Sequence, residues 1–93
     1  MPYIPQDRRR SADIDPHTVG ELNFAITSLL DNYILEGGGL CYDSINDCIG
    51  VLECAKLELY RRLAAPYETI KMAQNGDVYK TQVPGFTRAV GDI

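Results

Sequence analysis

The pattern of apolar positions along the chain predicts two long amphipathic helices. In the first, apolar residues recur at intervals of three and four, the spacing of one helix face. These residues are Val19, Leu22, Ile26, Leu29 and Tyr33, with Ala25, Leu30 and Ile34 widening the apolar side. The second helix repeats the spacing with Ile45, Cys48, Ile49, Leu52, Ala55, Leu59 and Leu63. The fold class is therefore predicted to be all-α.

Capping residues set the expected limits of these helices. The first is expected to begin at Asp15, followed by Pro16, or at Thr18, with Glu21 three residues later in a capping box. Three glycines at positions 37–39 are expected to end it. The second helix is expected to open at Asp43 or Ser44.

A proline divides the end of the second helix from a shorter third one. Pro66 lacks an amide proton and crowds the preceding turn, so a kink is expected there. Residues 67–74 still have a helical pattern, and Asn75 and Gly76 form a stop signal. The sequence thus predicts a short third helix after the bend.

Three segments follow from this pattern. Residues 1–14 contain two prolines and three consecutive arginines without apolar periodicity, so they are expected to form an extended N-terminal arm. Residues 15–76 are expected to form an antiparallel helical hairpin domain, and residues 77–93 an extended or disordered tail. A single hairpin has no opposite layer to cover its apolar sides, so a homo-oligomer that completes a bundle is expected.

Composition and charge exclude several classes of protein. No apolar run is long enough to span a membrane, and residues 1–10 hold no apolar core of a signal peptide, so a soluble, cytoplasmic protein is expected. The net charge of −4 argues against binding to duplex nucleic acid. Three cysteines, at positions 41, 48 and 54, fit neither a disulfide framework nor paired zinc ligands, and no cofactor is expected.

Charge is strongly segregated along the chain. Between Ser11 and Ala55 there are eight carboxylates and no Lys or Arg, whereas basic residues lie on either side. Such blocks create fields that steer charged partners. We therefore expect the protein to meet a polar or ionic partner.

Several short motifs resemble a family of small uncharacterised proteins found in phages and bacteria, over roughly residues 1–79. The motifs are Gly20-Glu21-Leu22-Asn23, Tyr42-x-x-Ile45-Asn46-Asp47-x-x-Gly50-x-Leu52-Glu53-x-Ala55-Lys56-x-Glu58, Tyr60-Arg61-Arg62, Pro66-Tyr67-Glu68 and Asn75-Gly76-Asp77-Val78-Tyr79. The resemblance transfers no mechanism. It implies a context in which small accessory proteins, some of them acting against host defence, bind host proteins, nucleotides or signalling molecules.

The leading functional hypothesis is a site for an anionic, nucleotide-like molecule, formed in an oligomer and without catalysis. Guanidinium groups bind phosphate bidentately, and tyrosines stack on bases. The candidate ligand-binding residues are Arg8, Arg9, Arg10, Lys56, Arg61, Arg62 and Tyr67. Ordinary surface pairing with Glu58 is the competing explanation for Arg61 and Arg62.

Two other hypotheses remain open. The acidic block is a candidate surface for a basic host protein, which the chain would inhibit. A metal-dependent pyrophosphatase of the MazG-like kind would hold magnesium with helix-borne carboxylates, for which Glu21, Asp47, Glu53 and Glu58 are candidates. The Glu-x-x-Glu and Glu-x-x-Asp pairs of that family are absent from these helices, so an enzyme is the less favoured hypothesis.

Overall fold

The computed structural model describes residues 1–85 and is helical through most of that range. Four α-helices are found there: α1 (Gln6–Ile14), α2 (Val19–Glu36), α3 (Tyr42–Leu59) and α4 (Ala65–Asn75). A π-helical turn, Tyr60–Ala64, joins α3 to α4. The prediction of an all-α fold with a short third helix after the Pro66 bend is confirmed by α2, α3 and α4.

The chain divides into two compact units, residues 1–50 and residues 51–93. In the first unit α1 packs against α2. The second unit holds the end of α3, the π-helical turn and α4. No helix in the described range combines the length and apolarity needed to cross a membrane.

The prediction of an extended arm is wrong for residues 6–14, because these residues form α1. Pro5 precedes the helix, where its missing amide proton costs nothing, and Asp7 lies in the first turn, where a negative charge is favourable. Ala12 is fully buried, and α1 packs against α2. Tertiary contacts therefore stabilise a helix that has no apolar periodicity of its own.

The predicted limits of α2 agree with the structure. Thr18 precedes the first turn, and its Oγ1 accepts a hydrogen bond from the backbone amide of Glu21 at 3.1 Å. At the other end the amides of Gly37 and Gly39 donate to the carbonyls of Tyr33 and Ile34. Gly39 has a φ of +98°, which favours glycine.

Within residues 1–50, helix α2 packs on α1, a helix that the sequence did not predict. The side of α2 that bears Glu21, Phe24 and Ser28 is the one in contact with α1. Periodicity shows that a helix has a side to cover, but it does not show which helix will cover it.

Pro66 is accommodated by the π-helical turn. An α-helix at this point would bring the proline ring against the carbonyl four residues earlier. In the π-helical turn the amide of Ala65 instead donates to the carbonyl of Tyr60, five residues back. Gly76, with a φ of +90°, then ends α4 as predicted.

The predicted tail can be followed only to Gly85. Residues 76–83 form neither helix nor strand, and Pro84 and Gly85 form a turn. The amide of Tyr79 donates to Oδ1 of Asp77 at 2.9 Å. The rest of the predicted tail, residues 86–93, lies outside the described residues.

The core of the described chain is very small. Only Ala12, Glu21 and Cys48 are buried among residues 1–85. The apolar residues predicted to face a hairpin core are instead largely exposed, including Leu29 at 71% and Leu59 at 60%. The folded chain therefore leaves most of its large apolar side chains in contact with solvent.

Candidate functional site

The basic cluster (Lys56, Arg61 and Arg62) lies in the second unit, on the last turn of α3 and on the π-helical turn. Each side chain is more than 70% exposed. The cluster is thus an accessible cationic surface on a helical element.

Glutamates neighbour all three cations. Arg61 donates to Oε2 of Glu58, and Nη1 of Arg62 lies 3.7 Å from Oε1 of the same carboxylate. Nζ of Lys56 lies 3.5 Å from Oε1 of Glu53. Two guanidinium groups therefore share one carboxylate, which leaves a net positive charge at Glu58, Arg61 and Arg62.

Two exposed tyrosines lie in the same helical segment as the basic cluster. Tyr60 begins the π-helical turn and Tyr67 lies in the first turn of α4. The ammonium group of Lys71 is 5.6 Å from the centre of the Tyr67 ring, a cation–π contact. These rings are amphipathic surfaces on which a planar base can stack.

The arginines near the N-terminus are engaged differently. Arg8 donates from Nη2 to Oε2 of Glu21 at 2.9 Å. Arg9 donates from Nε to the carbonyl of Ile4 at 3.1 Å, and its guanidinium lies 5.4 Å from the centre of the Phe24 ring. Arg10 is exposed on α1. Arg8 and Arg9 thus tie α1 and the preceding segment to α2.

Glu21 accepts the hydrogen bond through which Arg8 connects α1 to α2. Its carboxylate is 7% exposed, and besides Arg8 it accepts the backbone amide of His17 at 3.1 Å. One residue earlier, a Cβ atom added to Gly20 would lie 3.2 Å from Cγ2 of Ile4. The Gly20-Glu21 part of the motif is therefore explained by packing and by hydrogen bonds within the first unit.

The carboxylates considered for a magnesium site are not assembled into one. Glu21 pairs with Arg8, Glu53 with Lys56, and Glu58 with the two arginines. Among the residues that the structure describes, no three acidic, histidine or cysteine side chains are grouped closely enough to hold a metal ion.

Cys41 is an exposed free thiol that the sequence did not single out as a functional residue. Its carbonyl accepts the first backbone hydrogen bond of α3, from Ile45, and its Sγ lies 3.5 Å from Oγ of Ser44. The Ser44 hydroxyl, followed by the Ser44 amide, lowers the pKa of the Cys41 thiol below its usual value. The signal in the sequence was a cysteine placed immediately before the start of a helix.

The lowered pKa predicts faster alkylation of Cys41 near neutral pH. Because thiolate forms once the pH exceeds the pKa, the labelling rate should reach its midpoint at a lower pH in the folded chain than in urea. The measurement is iodoacetamide labelling against pH in a Cys48→Ala, Cys54→Ser chain, which leaves one thiol. Ser44→Ala should move the midpoint upward, and an unchanged midpoint would contradict the assigned cause.

Comparison with known proteins gives a family but no activity. No curated protein and no solved structure matches the chain. A family model described as a domain of unknown function (DUF6899) matches residues 1–78. That range includes α1 to α4 and the basic cluster. The chain therefore belongs to the DUF6899 family, whose function is unknown.

Proposed function

We propose that this protein is a non-catalytic binding protein that holds an anionic, nucleotide-like molecule at the basic cluster. The observation that carries the proposal is the sharing of Glu58 by Arg61 and Arg62 on an exposed π-helical turn. One positive charge there has no carboxylate of its own. A phosphate group would neutralise it.

The existing ion pairs do not block such a ligand. Exposed pairs contribute only about 0 to 1 kcal/mol, so the guanidinium groups can exchange Glu58 for phosphate oxygens at little cost. Arginine binds phosphate through two parallel hydrogen bonds, which gives both charge and orientation. π-Helical turns within α-helices are frequent at functional sites.

The two tyrosines support a nucleotide over a simple inorganic anion. Tyr60 is 55% exposed and Tyr67 is 60% exposed, so both rings are accessible to a ligand. A base stacked on either ring would bury apolar area and contribute about 1 to 3 kcal/mol. The combination of arginine, lysine and tyrosine suits a molecule with both a phosphate and a planar base.

An oligomer is part of the proposed function. A chain of 93 residues with three buried residues among those described has little of the apolar burial that stabilises a monomer. Copies that cover one another's apolar helix faces would supply that burial. They would also allow basic clusters from different copies to face one ligand.

We further propose the biological setting that the family resemblance implies. The protein acts as a phage-type accessory factor in the cytoplasm of the host cell. Sequestering a nucleotide-like signal there would counter a host defence response without any chemical reaction.

An acidic protein-binding surface is the second candidate function. Residues 1–50 carry eight carboxylates and three arginines, a formal charge of −5. All of these carboxylate residues except Glu21 are exposed. Such a surface suits a basic host protein, and it becomes the leading candidate if no nucleotide binds.

Replacing either arginine of the basic cluster is expected to weaken nucleotide binding. Arg61→Ala and Arg62→Ala should each raise the Kd by about 10- to 100-fold, the cost of about 1.5 to 3 kcal/mol for a charged hydrogen bond. The measurement is calorimetric titration of linear and cyclic nucleotides selected by thermal shift.

Lys80→Ala is the matched control, since it removes one exposed positive charge outside the cluster. Its Kd should stay within about twofold of the original chain, a difference well under 1.4 kcal/mol. Equal affinities in all three variants, or no binding by the original chain, would refute the arginine site. Far-UV circular dichroism should show unchanged helicity in each.

A further inference from the structure

Helix α2 has one side covered by α1 and another side that is open. Glu21, Phe24 and Ser28 contact Arg8, Arg9 and Asp13 of α1. The α2 seam is the open side, and it consists of Val19, Leu22, Ile26, Leu29 and Tyr33. These five side chains are 43% to 83% exposed. A continuous apolar stripe of this length on a soluble chain marks an interaction surface.

The spacing of the α2 seam is that of a two-stranded coiled coil. Successive members are three, four, three and four residues apart, which matches the a and d positions of a heptad. Val19 and Ile26 are β-branched and occupy a positions, whereas Leu22 and Leu29 occupy d positions. This distribution favours two parallel helices over three or four.

The residues beside the seam fit an identical partner. The flanking e and g positions are Asn23, Ala25, Leu30 and Asn32, and none of them is charged. The carboxylates of Glu21 and Asp31 lie at c and f positions, away from the seam. Two acidic copies can therefore approach along α2 without placing like charges opposite each other.

A basic foreign helix is a poorer fit to this side. Its lysines and arginines would meet only uncharged side chains at the flanking positions, so charge would add nothing to the contact. The absence of flanking charge in the described seam thus favours a second copy as the occupant. The same argument leaves the exposed carboxylates of the first unit available to other partners.

We propose that α2 of a second copy covers the α2 seam in a parallel two-stranded coiled coil. The helix has 18 residues and a length of about 27 Å, enough for the five seam positions to interlock. Helix α1 lies on another side of α2 and stays outside the interface. The inference deepens the oligomeric state proposed above, and it is tested without nucleotide, so failure of ligand binding leaves it intact.

The first test is the mass of the free chain in solution, measured by sedimentation velocity. The original chain should sediment as a dimer of a 10.4 kDa protomer. Ile26→Asp should sediment as a monomer at the same concentration, because two carboxylates would face each other in an apolar seam. Leu57→Asp is the matched control, since Leu57 is also more than half exposed but lies on α3; this variant should stay dimeric.

The second test determines whether the two α2 helices are parallel or antiparallel. It does not require the Ile26→Asp variant to fold. Leu22→Cys is placed in a chain with Cys41→Ser, Cys48→Ala and Cys54→Ser, and the protein is oxidised. A parallel pair brings the two new thiols together at a d position and should give a disulfide-linked dimer. An antiparallel pair centred on Ile26 would separate them by about 12 Å along the axis, too far for a disulfide.

Thr27→Cys in the same background is the control for random collision, since position 27 lies off the seam. It should remain mostly uncrosslinked. Any of three results would overturn the proposal. These are a monomeric original chain, a dimer that Leu57→Asp dissociates but Ile26→Asp does not, and equal crosslinking at positions 22 and 27.

Discussion

Replacing Ala12 with aspartate is expected to separate α1 from α2 and to remove most of the stability of the first unit. Ala12 is the one fully buried apolar residue among those described, and it lies on the helix that packs against α2. A carboxylate there would have no room in the contact between α1 and α2. The loss should be about 3 kcal/mol or more, a large part of the 5 to 15 kcal/mol typical of a small domain.

The measurement is urea unfolding followed by far-UV circular dichroism, with every variant at the same protein concentration. Ser11→Asp is the matched control because it introduces the same charge one residue earlier, at an exposed position of α1. Its unfolding midpoint should stay close to that of the original chain. Equal midpoints for the two variants would show that α1 does not depend on the Ala12 contact.

Removing the carboxylate of Glu21 is the second substitution with a large expected effect. Glu21→Ala should lower the free energy of unfolding by about 2 kcal/mol, because Arg8 and the amide of His17 both lose their acceptor. The side chain of Arg8 is 55% exposed and can bond to water instead, so its share of the loss in unfolding free energy is modest. The amide of His17 also loses a partly buried hydrogen bond.

Glu53→Ala is the comparison for this effect. Glu53 also pairs with a cation, Lys56, but both side chains are mostly exposed, so the expected change is about 1 kcal/mol or less. The free energy of unfolding of Glu21→Gln should fall between those of Glu21→Ala and Glu53→Ala, since the side-chain amide oxygen of glutamine still accepts from the backbone amide of His17. A Glu21→Ala chain as stable as Glu53→Ala would mean that burial of Glu21 contributes nothing.

The limits of α2 were predictable because local chemistry determines them, whereas α3 begins at Tyr42, slightly before the predicted Asp43 or Ser44. Thr18 with Glu21 at the start of α2, and the glycines after it, act through hydrogen bonds within a few residues of the chain. The same holds for Gly76 at the end of α4. Such signals need no knowledge of the rest of the fold.

Helix α1 and the packing of α2 were not predictable in that way. The sequence of α1 has no apolar stripe, and its contacts with α2 use Ala12, one ion pair and a cation–π contact. These contacts join residues more than ten positions apart, and no local pattern indicates them. Apolar spacing correctly identified the apolar side of α2, and the structure adds that this side is largely exposed in the described chain.

The residue types of the candidate site were predictable from the sequence, but their geometry was predictable only in part. Arg61, Arg62 and Tyr67 were proposed from residue type, and the structure adds the shared Glu58 and the π-helical turn. Arg8 and Arg9 were proposed by the same reasoning, yet their contacts connect α1 and its preceding segment to α2. Residue type alone cannot distinguish an arginine that stabilises a fold from one that is available to a ligand.

The number of residues in the π-helical turn also determines how α3 continues into α4. Its wider hydrogen-bonding ring holds more residues per turn than an α-helix does. Deleting one residue between Tyr60 and Ala64 would let ordinary α-helical winding resume with little rotation of α4, because the wider turn already accommodates the extra residue. Homologues that lack one position here would keep the orientation of α4 but lose the wide turn that carries Arg61 and Arg62. A natural deletion at this point would therefore change the basic cluster while leaving α4 in place.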